Sequence, residues 1–196
     1  MDFPSLNEKE ILSVLKIARE QSLRDWLLIL TTFSHGLRAS EACSIRLADI
    51  KDGALTVRRL KGSKTTCQQL LSHRGVPLLD EVRGYREWLK IRPSDCGDFV
   101  FTSQKGGAIS AKHFNYIFKR YARNIGLEQQ KQHPHCLKHS IVTALIRNGM
   151  DTSYVQNYVG HASIGSTAKY THLSGSEVTA RASNVLITAF QKRPSL

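Results

Sequence analysis

The chain has 196 residues, of which 41% are hydrophobic and 22% charged, with a formal net charge of +12. That length and composition fit one folded domain with a sizeable core and do not fit a disordered tail. The longest apolar run, Trp26–Leu30, is far short of the ~20 residues that span a bilayer, and the polar, acidic opening cannot serve as a signal peptide, so neither a membrane nor a secreted protein is expected.

The charge is unevenly spread. Residues 101–150 carry eight Lys or Arg against one acid, Glu128, and Lys51–Lys64 holds five basic residues against Asp52. Concentrated positive charge attracts polyanions, nucleic acid foremost, although a solvated surface gives the same count. The four cysteines (Cys43, Cys67, Cys96 and Cys136) include no C-x-x-C pair, so no disulfide framework is expected. His135 and His139 share a helical face, but no partner pair stands at zinc-finger spacing and H-E-x-x-H is absent, which weighs against a metal site.

In chain order, Ser5-Leu6-Asn7-Glu8 reads as a capping box before a helix with Ile11, Val14, Leu15 and Ala18 on one face. A strongly apolar helix over 22–34 breaks at His35-Gly36, and a helical turn runs from Arg38 to about Leu47. After the Asp52-Gly53 turn, Ala54–Leu60 reads as a strand, with Thr65–Leu71 and Gly75–Leu78 as pairing partners in a small antiparallel sheet. A helix over 79–91, a loop around Pro93–Asp98 and a short strand Phe99–Phe101 follow. Ser110 caps a helix over 111–125 whose Phe114, Ile117, Phe118 and Tyr121 form a core stripe rather than a platform for stacking bases. Then come a helix over 135–148 stopped by Gly149, one from Asp151 or Thr152 to about Val159, and a last one opened by a Ser174–Glu177 capping box and running to about Phe190. The fold class is mainly α with a small antiparallel β-sheet (α+β).

Four sites place phosphate-compatible side chains at element boundaries. Arg38 follows the break at Gly36, with Glu41 placed to hold its guanidinium; Lys61 ends a strand; His135 and Lys138 share a helical face; and His161 follows a helix end nine residues before Tyr170. Each alone has an ordinary structural explanation.

Together they resemble the catalytic domain of the tyrosine recombinase (phage integrase) family. His35-Gly36-Leu37-Arg38-Ala39-Ser40-Glu41 is similar to its first-arginine box, and Arg59-Leu60-Lys61-Gly62 to its β-hairpin lysine. Pro134-His135-Cys136-Leu137-Lys138-His139 is similar to the P-H-x-L-R-H box. Val159-Gly160-His161, Thr167 and Tyr170-Thr171-His172 are similar to the segment that holds the nucleophile. The wording is nearest to the short fimbrial phase-variation invertases.

The resemblance implies that Tyr170 attacks the scissile phosphodiester, that Arg38, His135, Lys138 and His161 contact its non-bridging oxygens, and that Lys61 protonates the leaving 5′-oxygen. It implies double-stranded DNA as partner and no cofactor or metal. It also implies a homotetramer on DNA, a monomer or weak oligomer without it, and a bacterial cytoplasmic, nucleoid-associated location. The chain departs from the family by having Lys138 where arginine is usual, which keeps the charge but loses the planar two-point grip. That change leaves open a second reading, a weak or inactive recombinase-like DNA-binding regulator. A topoisomerase-like relaxing activity would use the same residues.

Only residues 1–21 precede the apolar helix 22–34, so residues 1–196 are expected to be a single catalytic domain without the family's N-terminal core-binding domain. Weaker binding alone, or reliance on accessory DNA-bending proteins, is expected with it. The helix over 173–190 falls where relatives pass a helix to a neighbouring protomer. Docking on its own core is the alternative.

Overall fold

The computed structural model of the chain describes residues 4–60, 64–160 and 175–191. Helix α1 (Glu8–Gln21) starts from Asn7, whose side chain accepts the Glu10 N–H at 2.9 Å while its own N–H donates to the Glu10 carboxylate at 2.8 Å. The capping box is therefore Asn7–Glu10 and not Ser5–Glu8. A tertiary bond decides it, because the Leu6 N–H donates to Ser140 Oγ at 2.7 Å and anchors the chain just ahead of Asn7.

Helix α1 buries Ile11, Val14, Leu15 and Ala18 and packs on α2 (Leu23–Ser34), which is capped by Ser22 and buried all round from Asp25 to Ser34. A helix apolar on every side belongs at the centre of a domain. Around α2 pack α3 (Ala39–Cys43), α4 (Glu81–Ile91) and α6 (His135–Arg147). The turn expected as far as Leu47 stops at Cys43, where the Ser44 N–H and hydroxyl both fold back on the Glu41 carbonyl, and Leu47–Asp49 forms a separate 3₁₀ turn.

The sheet has three antiparallel strands in the order β1 (Ile50–Lys51), β2 (Ala54–Val57), β3 (Thr66–Gln69), with Leu55 opposite Gln68 and Val57 opposite Thr66. Three strand expectations fail. Residues 75–78 do not join the sheet, because Val76 N–H turns back to His73 and Pro77, which lacks an N–H to give to a ladder, opens a 3₁₀ turn. The strand expected through Leu60 ends at Val57, because the Leu60 N–H is taken by the Glu41 carboxylate instead of a neighbouring strand. Phe99–Phe101 likewise forms no strand, only an isolated bridge of Phe99 to Arg46, although Val100 and Phe101 are fully buried.

Helix α5 (Ala111–Asn124), capped by Ser110, sinks Phe114, Ile117, Phe118 and Tyr121 into the core and exposes Lys112, Lys119, Arg120 and Arg123. Helix α7 (Thr152–Tyr158) is capped by Asp151. Helix α8 (Gly175–Gln191) packs on β3, α6 and α7, with Ala182 and Leu186 buried. The cap expected at Ser174–Glu177 lies outside the described side chains. The architecture is mainly helical with one small antiparallel sheet, as the sequence pattern indicates. No described helix is long and apolar enough to cross a membrane.

Candidate active site

Helix α2 is followed by His35 and then Gly36, whose φ of +58° is a left-handed conformation that glycine adopts without penalty. Space demands glycine there as well, since a Cβ would stand 2.7 Å from Val159 Cγ1. The chain turns at this point and delivers Arg38 to the N-cap of α3. Glu41, one turn on, holds Arg38 twice, accepting its backbone N–H at 2.8 Å and its Nη1 at 2.7 Å. The Arg38 side chain is 27% exposed, and Nε and Nη2 have no partner among the described residues. A partly exposed guanidinium oriented on one side by a buried carboxylate is prepared for a phosphate.

Glu41 itself is completely buried and does more than orient Arg38. It accepts the Leu60 N–H at 3.0 Å and lies 3.5 Å from Arg59 Nη1. Burial alone would raise its pKa, but the N–H bonds from Arg38 and Leu60 and the adjacent guanidinium charges outweigh it, holding the carboxyl below the ordinary glutamate range. Arg38 Nη1 also reaches the Leu60 carbonyl at 3.3 Å. The residue immediately before Lys61 is therefore bonded through both its N–H and its C=O to the Arg38–Glu41 pair.

Helix α6 brings the next two groups. His135 is its first residue and is exposed, while Lys138, one turn later, is 3% exposed and donates from Nζ to the Val159 carbonyl at 3.2 Å. Burial, then the nearby Arg59 and Arg38 cations, push the Lys138 ammonium down to about 8. Partial burial, His133, Lys138 and Arg38 together lower the His135 imidazole, whose ring stands edge-on to His139 with centroids 4.6 Å apart. Burial first, and the neighbouring positive groups second, disfavour the charged forms here, an arrangement that suits a pocket taking an anion.

Three predicted residues, Arg38, His135 and Lys138, thus meet in one place. Lys61, His161 and Tyr170 lie outside the described residues. The described neighbours of two of them do converge on the pocket, Leu60 as above and Gly160 through its contacts. Gly160 has φ +66°, and a Cβ there would sit 2.9 Å from Arg59 Cγ and 3.2 Å from the Lys64 carbonyl oxygen.

Arg59 was not singled out from the sequence as a site residue. The signal was present, because Leu55, Val57 and Arg59 alternate and all three are buried, which places Arg59 on the inner face of an extended segment. No group of three His, Cys, Asp or Glu among the described residues is arranged to hold a metal ion.

The phage integrase family profile matches residues 4–177. The type 1 fimbriae regulatory protein FimB of Escherichia coli K12 is 38% identical over 173 residues, covering 85% of this chain and 82% of FimB. Among solved structures, XerA recombinase superposes with a TM-score of 0.71 at 24% identity, covering 98% of this chain and 66% of that one. The XerH site-specific recombinase bound to its difH substrate, in a pre-cleavage complex, gives 0.67 at 26% identity, covering 82% of this chain and 47% of XerH. This chain thus spans two thirds or less of either solved recombinase. Motif order, pocket geometry and fold agree: the chain belongs to the phage integrase family and has the fold of a tyrosine recombinase catalytic domain.

Proposed function

We propose that this chain is a site-specific DNA recombinase that breaks and rejoins strands through a 3′-phosphotyrosyl intermediate. The observation that carries the reading is the convergence of Arg38, at the N-cap of α3, with His135 and Lys138 of α6 on one cation-rich pocket, with Glu41 as its buried orienting acid. In the first step the Tyr170 hydroxyl gives up its proton to solvent as its oxygen bonds to phosphorus, and the bond to the 5′-oxygen breaks. Lys61 gives that oxygen a proton. In the second step a 5′-hydroxyl from another strand gives its proton back to Lys61 and attacks the phosphotyrosine, re-forming the diester and releasing Tyr170, which takes up a proton from solvent. The number of phosphoester bonds is unchanged, so no nucleotide hydrolysis is needed.

Arg38, His135, Lys138 and His161 bear on the step in between, where charge develops on the non-bridging oxygens. Donors fixed in advance cost no reorganisation when that charge appears, and this is the largest demand in phosphoryl transfer. The DNA duplex is held by the excess positive charge, with the exposed basic residues of α5 as backbone contacts. Assembly as a tetramer on DNA, with accessory DNA-bending proteins and an exchanged C-terminal helix, completes the proposal. In the chain alone, α8 packs on its own β3, α6 and α7.

A plasmid carrying the DNA on either side of the protein's own gene tests the function. Inverted or excised product in the presence of the purified chain supports it. DNA retardation without any rearranged or cleaved product favours the second reading, a regulator, which the lysine at position 138 keeps open.

A further inference from the structure

We propose that Arg59, whose side chain is fully buried, is the positioning residue that locks the chain at Gly36–Arg38, at Leu60 and at Tyr158–Gly160 into one register. The inference rests on the recombinase reading above and adds a residue outside the groups that touch the phosphate.

The guanidinium of Arg59 has a partner for every nitrogen. Nη2 donates to the His35 carbonyl at 2.9 Å and lies 3.4 Å from the Tyr158 carbonyl. Nη1 donates to the Gly36 carbonyl at 3.1 Å and lies 3.5 Å from Glu41 Oε2, and Nε donates to Thr66 Oγ1 at 3.0 Å. One planar group thus joins the C-terminus of α2, the C-terminus of α7, the carboxylate that holds Arg38, and β3. The carbonyls at a helix C-terminus lack intrahelical partners and carry partial negative charge, so two such ends facing each other supply the compensation that a buried cation requires. Lysine could not do this, since a single ammonium cannot reach acceptors spread around a flat fork.

Packing confirms the register. The side-chain stem of Arg59 fills the space where a Cβ on Gly160 would lie, and Val159 fills the equivalent space beside Gly36. The segments ending at Gly36 and Gly160 therefore close on each other with Arg59 between them. Downstream, Arg59 hands the chain to Leu60, which is bonded to both Glu41 and Arg38. Lys138 is anchored on Val159, between Tyr158 and Gly160, so its placement depends on the same joint. The charge facing Lys138 comes from Arg59, Arg38 and Glu41, with Arg59 and Arg38 opposing its protonation and Glu41 favouring it.

The test compares the wild-type chain with Arg59→Lys and Arg59→Met on a nicked duplex. It measures the rate of covalent adduct formation at saturating DNA, DNA affinity, thermal unfolding and the pH profile. Displacement of about 1 Å among reacting groups costs on the order of 100-fold, so the folded Arg59→Lys protein should lose about 10- to 100-fold in rate with DNA affinity changed less than about threefold. In Arg59→Met the alkaline limb of the profile should also move to higher pH, because Lys138 loses a neighbouring cation; a purely structural role would not move it. Folded variants that cleave at the wild-type rate, or a loss matching the unfolded fraction with an unmoved limb, would overturn the proposal. If neither variant folds, Thr66→Val decides, since it removes only the Nε acceptor: a slower rate at unchanged stability supports the proposal, and an unchanged rate overturns it. A wild-type chain that forms no adduct overturns the recombinase reading, and this proposal with it, before any variant is compared.

Discussion

The ammonium of Lys138 donates to the Val159 carbonyl across 3.2 Å, joining the helix that presents His135 to the segment that leads into His161. Burial, with Arg59 and Arg38 nearby, brings that ammonium down to about 8, so it is charged below this pH and loses its charge as the pH rises through it. The charged form is the one that can neutralise a phosphate. kcat/KM for strand cleavage should therefore be steady toward neutral pH and fall on the alkaline side with an apparent value near 8. Lys138→Arg should remove that limb, because a guanidinium stays protonated throughout. A limb unchanged in the arginine variant would assign it to another group.

Lys138→Ala separates chemistry from binding. Removing one preorganised donor from a developing charge typically costs about 100- to 1,000-fold in rate. Strand cleavage by this variant should fall by that order while the gel-shift affinity changes little. Equal loss of both would remove Lys138 from the chemistry.

Glu41→Gln should unfold at lower urea concentration than the wild-type chain. Breaking a buried ion pair by removing one partner costs about 3–5 kcal/mol. The wild-type carboxyl is held below the ordinary glutamate value of 4.5, so its contribution is present above that pH and is lost as the pH falls through the folded value. The stability gap between the two proteins should therefore be widest near neutral pH and narrow in acid. A gap that does not depend on pH would mean that the Glu41 charge is not what holds the pocket.

Two glycines give contrasting outcomes. An added Cβ would stand 2.7 Å from Val159 at Gly36 and 2.7 Å from Trp26 at Gly84. Gly36→Ala adds about 1–2 kcal/mol for the left-handed backbone to its clash, whereas Gly84→Ala carries an overpacking cost of about 1–3 kcal/mol. Both should lower the thermal midpoint. Only Gly36→Ala should also slow cleavage per folded molecule, since only it pushes on the joint beneath Arg38 and Gly160.

What the sequence made legible follows the range of the interactions involved. The Phe114–Tyr121 stripe, the buried α2 and the Asp52-Gly53 turn are local patterns, and they are where the pattern places them. Asn7 as the cap was not legible because both Ser5–Glu8 and Asn7–Glu10 fit a capping box and the choice rests on Ser140, 134 residues from Leu6. The end of β2 was hidden for the same reason, since Leu60 leaves the ladder for a carboxylate 19 residues earlier in the chain. Arg38, His135 and Lys138 could be read from their motifs. Arg59 carries a weaker signal, its alternation with Leu55 and Val57, which is easily lost because in a run of basic residues an arginine looks like surface.

The exposed basic face of α5 should appear in the salt dependence of DNA binding. Each phosphate neutralised contributes about −0.9 to the slope of log affinity against log salt. Lys119→Ala, on the exposed face, should therefore make the slope shallower by about that amount without changing cleavage at saturating DNA. An unchanged slope would place the duplex elsewhere.

The central claim is that this chain cleaves DNA through Tyr170. Nicked duplexes made from a sequence that the chain binds trap any covalent intermediate, because the short fragment that carries the 5′-hydroxyl diffuses away. The wild-type chain should form a detergent-resistant adduct with DNA joined to Tyr170 through a 3′-phosphate, and Tyr170→Phe should form none. An adduct that survives Tyr170→Phe, or a wild-type chain that binds these duplexes and never links to them, would contradict the account.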